Sequence, residues 1–98
     1  FRRKDGTGGF HAFIGGISRE GLDFYSSESL QSGTGLEINL YFLDSKGREA
    51  SEKVEGEVRW SAPFRESFIS GVQFSEIITK KTSPRLFEYF LKSEEYLN

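Results

Sequence analysis

The segment Gly15-Gly16-Ile17-Ser18-Arg19-Glu20-Gly21-Leu22-Asp23-Phe24 gathers the residue types that can hold an anion. Glycines, a hydroxyl and a cation fall in a turn between two strand-like runs. Glycine lets a backbone approach a ligand closely, and free N–H groups with the Ser18 hydroxyl can donate to phosphate oxygens. Arg19 adds a planar fork that pairs with phosphate or stacks on a base. A second basic group, Arg2, Arg3 and Lys4, opens the chain. Trp60, the single tryptophan, sits on an alternating run, where its indole either offers a stacking face or fills the core. The plain alternative for the glycine turn is a strand–turn–strand connection that binds nothing.

Other chemistries find little support. His11 stands alone, without a second residue at metal-ligand spacing, so no metal is expected. Glu55 and Glu57 share a strand face and read as solvated carboxylates rather than a glycosidase pair. There is no Gly-x-Ser-x-Gly elbow, and the 5–9 turn lacks the Gly-Lys-Ser/Thr ending of a nucleotide P-loop. The absence of cysteine removes disulfides, zinc–thiolate sites and thiol nucleophiles. The expectation is a binding protein that is not an enzyme and carries no cofactor.

The chain has 98 residues and a net charge of -2, which suits one small domain over residues 1–98. The slightly acidic balance gives no field for DNA. No signal peptide or run long enough to cross a bilayer is present, so membrane insertion is not expected. A cysteine-free chain suits a reducing cytoplasm. With no methionine and a start in mid-pattern, the sequence reads as a fragment of a longer protein.

The elements that must position the turn are short strands. Residues 1–4 read as the end of a strand, followed by a turn at Asp5-Gly6-Thr7-Gly8-Gly9. Residues 10–14 alternate with Phe10, Ala12 and Ile14 on one face, and 22–25 alternate next. A polar loop over 26–35 leads to residues 36–43, where Leu36, Ile38, Leu40 and Phe42 face inward. Asp44-Ser45-Lys46-Gly47 is a hairpin turn. Residues 53–61 place Val54, Gly56, Val58 and Trp60 on one face, and Pro63 ends this strand or marks an edge. Residues 68–74 carry Gly71 at a bulge or close crossing. Ser83-Pro84 opens a terminal helix over 83–97, with Leu86, Phe87, Phe90, Leu91 and Leu97 as its apolar stripe and Glu88, Lys92, Glu94 and Glu95 on its wet face. The expected fold is all-β with one C-terminal α-helix, its five to six antiparallel strands closed or nearly closed into a small barrel that hides their edges.

Four pieces in order carry a resemblance: Ile17-Ser18-Arg19-Glu20-Gly21-Leu22, Gly33-Thr34-Gly35-Leu36-Glu37-Ile38, Val54-Glu55-Gly56-Glu57-Val58-Arg59-Trp60 and Gly71-Val72-Gln73-Phe74. Together they resemble the PilZ domain over residues 10–77. The resemblance implies a six-stranded antiparallel β-barrel with a C-terminal helix and binding of the bacterial second messenger cyclic di-GMP. Of the family's Asp/Asn-x-Ser-x-x-Gly motif, Ser18 and Gly21 match, while Gly16 stands where the acidic or amide residue belongs. The family's Arg-x-x-x-Arg motif is absent, since Gly6 follows Arg2 and Thr7 follows Arg3 at that spacing. The implied ligand-binding set is therefore Ser18, Arg19, Gly21, Arg2, Arg3, Gly16 and Trp60.

Two functions follow as expectations. One is a cytoplasmic signalling module that binds cyclic di-GMP and passes the change to a neighbouring domain or partner protein. The other is a degenerate PilZ-like domain without nucleotide, acting as an interaction scaffold through Phe13, Tyr25, Tyr41, Phe64 and Phe68.

Overall fold

A computed structural model describes residues 1–6, 8–44 and 46–97, with helix side chains as far as Leu91. Six strands precede one helix: β1 (Arg2–Arg3), β2 (Phe13–Ile17), β3 (Gly21–Ser26), β4 (Gly35–Leu43), β5 (Glu49–Phe64), β6 (Ser67–Phe74) and α1 (Pro84–Leu97). They form one antiparallel sheet in the order β1-β4-β5-β6-β3-β2.

Period-two patterning sets the inner face as expected. Leu22 and Phe24 of β3, Leu36, Ile38 and Leu40 of β4, Val54 and Val58 of β5, and Val72 and Phe74 of β6 are buried in one cluster. Leu30, Ile78 and Leu86 close it from the loop, the segment after β6 and the helix. Burial of these side chains is the main source of stability, at about 1.5–3 kcal/mol for each large one.

The sheet does not close. β1 and β2 lie at its two ends with no ladder between them among the described residues; β1 makes an isolated bridge, from Arg2 to Gly9 in the segment before β2. Phe10 donates its N–H to the Phe1 carbonyl at 2.8 Å, and the Phe1 amino group returns a bond to the Phe10 carbonyl at 3.0 Å. No β1–β2 ladder occurs among the described residues, so the expected barrel is not closed by strand pairing. Phe1 and Phe10 instead fold onto Phe24, with ring centroids 4.5 and 6.0 Å away.

Four local expectations need correction. β2 begins at Phe13 rather than at residue 10, and its Phe13 and Ile14 are exposed. A bulge interrupts its pairing with β3 between Ile14 and Gly16, which breaks the simple alternation. β5 runs through Pro63 to Phe64, because Pro63 sits near the hairpin tip, opposite Phe68, where a missing N–H costs little. Trp60 does not continue the buried face of β5. A bulge between Val58 and Trp60 takes up one residue and turns the indole outward. On the helix, Leu86 is buried and Phe87 and Phe90 pack against the core, but Leu91 is exposed. The expected positions of Leu97, Lys92, Glu94 and Glu95 lie outside the described side chains. The helix start is held from the sheet, where Glu52 of β5 accepts the Arg85 backbone N–H at 2.7 Å.

The β4–β5 turn carries a pH-dependent element. Asp44 accepts the backbone N–H groups of Arg48 and Lys46, each at 2.9 Å, and Gly47 supplies the positive φ of 75°. Those bonds, the Arg48 one foremost, hold the Asp44 carboxyl below its usual value. A lowered folded-state value means the contribution is present above the unfolded carboxylate range and is lost as pH falls through the folded value. Asp44→Asn is therefore expected to flatten the acid limb of the stability–pH curve below about pH 4, as read by urea denaturation across pH. An unchanged acid limb would contradict this.

Candidate functional site

The β2–β3 turn is a tight hairpin. Ser18 donates its N–H to the Gly21 carbonyl at 2.8 Å, leaving Arg19 and Glu20 at the tip. The Ser18 hydroxyl accepts the Glu20 N–H and donates to the Gly21 carbonyl, both at 3.3 Å. Contacts that long are weak, so the hydroxyl can be re-aimed at a ligand at small cost. Gly21 answers a different demand. A Cβ there would lie 2.1 Å from the Val72 carbonyl oxygen, because β6 crosses close to it.

One rung of the sheet builds the site floor. Gly16 of β2 pairs with Asp23 of β3, Asp23 with Gly71 of β6, and Gly71 with Trp60 of β5. The bare backbones of Gly16 and Gly71 flank Asp23. The indole lies across Gly71, where an added Cβ would meet its Nε1 at 2.2 Å. Beside them Arg59, on the outer face by the strand's own alternation, donates from Nε to Gln73 Oε1 at 2.8 Å and stands 3.7 Å from Glu57. The result is an open cleft of about 490 Å³ that includes Gly16, Ser18, Glu20, Gly21, Asp23, Arg59, Trp60, Gly71 and Gln73 in its lining. Its charged groups are two carboxylates and one guanidinium. Trp60 remains 45% exposed, enough to present a ring surface to a ligand.

The cleft thus unites Ser18, Gly21, Gly16 and Trp60 from the sequence-derived set. It does not take in the three arginines. Arg19 turns toward the helix, donating from Nε to the Ile78 carbonyl at 3.0 Å with its guanidinium 5.3 Å above the Phe87 ring. Arg3 pairs with Glu28 and covers the Phe10 ring. Arg2 lines a separate hollow with Phe1, Phe10, Phe13 and Tyr41. Sequence reasoning missed Asp23, Arg59, Gly71 and Gln73 as lining residues. Their signal was adjacency to motif residues, but the bulge that turns Trp60 outward beside Arg59 has no mark in the sequence.

Two variants check this geometry. Arg19→Ala removes a hydrogen bond and a ring contact at the helix and is expected to lower stability by about 1–2 kcal/mol in urea denaturation, leaving Trp60 emission unchanged. Gly71→Ala forces the indole off its seat and is expected to red-shift that emission. Unshifted emission would show that the indole does not rest on Gly71.

Sheet, helix and cleft make up one small domain, and no cluster of potential metal ligands occurs among the described residues. No helix among them is long and apolar enough to cross a membrane. A profile of the PilZ domain matches residues 1–91, and the chain belongs to the PilZ domain family. Searches of curated proteins and of solved structures return no significant match.

Proposed function

We propose that this domain is a cyclic di-GMP-binding regulatory module whose ligand occupies the cleft beside the β2–β3 turn. The observation that carries the reading is the meeting of Ser18, Gly21, Gly16 and Trp60 in one cleft of a PilZ domain. In this reading the curled sheet is the family's six-stranded barrel, left open between β1 and β2.

The chemistry fits in part. Cyclic di-GMP carries two phosphate charges and two guanines. The turn offers a hydroxyl and close backbone approach, Trp60 offers a π-face, and Arg59 offers the one cation of the lining. Each arginine–guanine fork is worth about 1–3 kcal/mol, and the Arg-x-x-x-Arg pattern is missing at Arg2 and Arg3. Affinity of the domain alone is accordingly weak, micromolar or poorer. The messenger is intracellular, so the module would act in the cytoplasm, passing ligand-induced ordering of the turn to a neighbouring domain or partner protein.

Calorimetric titration with cyclic di-GMP tests the proposal. Saturable binding that falls about tenfold or more in both Ser18→Ala and Arg59→Ala is expected, the loss of one charge-assisted contact each. No heat at millimolar ligand would overturn it.

A second reading draws on one observation. Phe13 and Tyr41 are 82% and 80% exposed, with Ile14 and Leu43 also uncovered. Exposed apolar surface of this kind suits protein contact, as an interaction scaffold without nucleotide requires. Of the other aromatics expected there, Phe64 is exposed but packs against the half-buried Tyr25, and Phe68 is half-buried. A partner whose capture needs Phe13 and Tyr41, in a domain silent to nucleotide, would favour this alternative.

A further inference from the structure

Asp23 lines the cleft but lies outside all four of the segments that resemble the family. It projects from the outer face of β3 between the buried Leu22 and Phe24. Its neighbours on the same rung are Gly16 on one side and Gly71 on the other. Neither has a side chain to shield or bond it, and its carboxylate takes no ion pair or hydrogen bond from the described residues. Oδ2 lies 4.0 Å from the point where a Cβ of residue 16 would stand. Across Gly71, the Trp60 indole leans over the same floor.

An indole seated on Gly71, with an unbonded carboxylate beside it and the bare Gly16 backbone beyond, selects a particular kind of base. The indole stacks any purine. The carboxylate only accepts hydrogen bonds, and two oxygens accept best from two parallel N–H donors. Guanine presents such a pair, N1–H beside its exocyclic amino group. Adenine sets an unprotonated ring nitrogen next to its amino group, and a carboxylate facing it meets a lone pair. Adenine is refused by that unpaired contact as much as guanine is attracted. Asp23 and Glu20 also repel phosphate, which directs the sugar–phosphate part toward Arg59 and Gln73 at the β5–β6 side.

We infer that Asp23 reads the guanine edge in this cleft, supplying from β3 the carboxylate that Gly16 of β2 cannot, with the base stacked on Trp60. The inference rests on the cleft being a nucleotide site, and it names the residue that makes the site specific for guanine.

The test uses the sole tryptophan as its reporter. The 98-residue chain is titrated with 5′-GMP, with 5′-AMP and, in a separate arm, with cyclic di-GMP, following Trp60 fluorescence. GMP is expected to quench at a concentration at least about tenfold below AMP, the worth of one charge-assisted hydrogen bond. Asp23→Ala, an exposed position without a partner, is expected to fold normally and to lose the preference. Adding Gly16→Asp to Asp23→Ala is expected to restore it, because a carboxylate from residue 16 enters the same slot. Equal quenching by GMP and AMP, no quenching by either, a preference that survives Asp23→Ala, or a double variant that does not recover overturns the inference. An Asp23-dependent GMP preference with no cyclic di-GMP binding keeps the guanine slot and removes the messenger. Cyclic di-GMP binding that is indifferent to Asp23→Ala does the reverse.

Discussion

Phe24→Ala is expected to lower the stability of the domain by about 3–5 kcal/mol, the range for emptying a fully enclosed aromatic site. Phe24 has no exposed surface and meets the rings of Phe1 and Phe10. Its loss opens a cavity and also frees the segment that leads from β1 into β2. Because β1 and β2 are not laddered together, that aromatic cluster and the Phe1–Phe10 backbone bonds do much of the fastening there. Against a total of about 5–15 kcal/mol, the deficit is a large fraction. Thermal unfolding should fall by at least roughly 12 °C for a chain of this size. A loss under about 1 kcal/mol in urea denaturation would show that Phe24 does not anchor this end.

Gly21→Ala should be nearly as damaging, at about 3 kcal/mol, and for a different reason. The new Cβ would stand 2.1 Å from the Val72 carbonyl oxygen and 3.3 Å from the Gln73 Cα. Both are backbone atoms, so no rotamer change relieves the clash. β3 must part from β6 where Gly21 pairs with Gln73. Gly16→Ala is the matched control, since nothing lies nearer than 4.0 Å to its Cβ, and it should change stability by less than about 0.5 kcal/mol. Denaturation of both variants separates the two motif glycines, one fixed by packing and the other open to the cleft. Equal effects would refute that division.

The same contrast explains what could be read from the residues. Alternation at Leu36, Ile38 and Leu40 carries its own face assignment, because burial on one side of a strand enforces period two. Ser83-Pro84 marked the helix start for the same local reason. Where one inserted residue shifts the register, local pattern fails. Trp60 read as inward because Val54, Gly56 and Val58 are inward, and only pairing with β6 reveals the bulge. Arg19 read as a ligand fork because it sits in a glycine turn. Its partners, Ile78 and Phe87, lie far along the chain and are invisible to spacing. Closure of the sheet was equally out of reach, since it depends on whether the two end strands meet, not on how many strands exist.

The central claim is that the cleft between the β2–β3 turn and Trp60 is where this PilZ domain meets its nucleotide. Amide and indole NMR shifts during a cyclic di-GMP titration test it most directly. Saturable shifts at Ser18, Gly21, Gly71 and the Trp60 indole N–H, with Phe13 and Tyr41 unmoved, are the expected result. Shifts centred on Phe13 and Tyr41, or none at the cleft up to millimolar ligand, would contradict it.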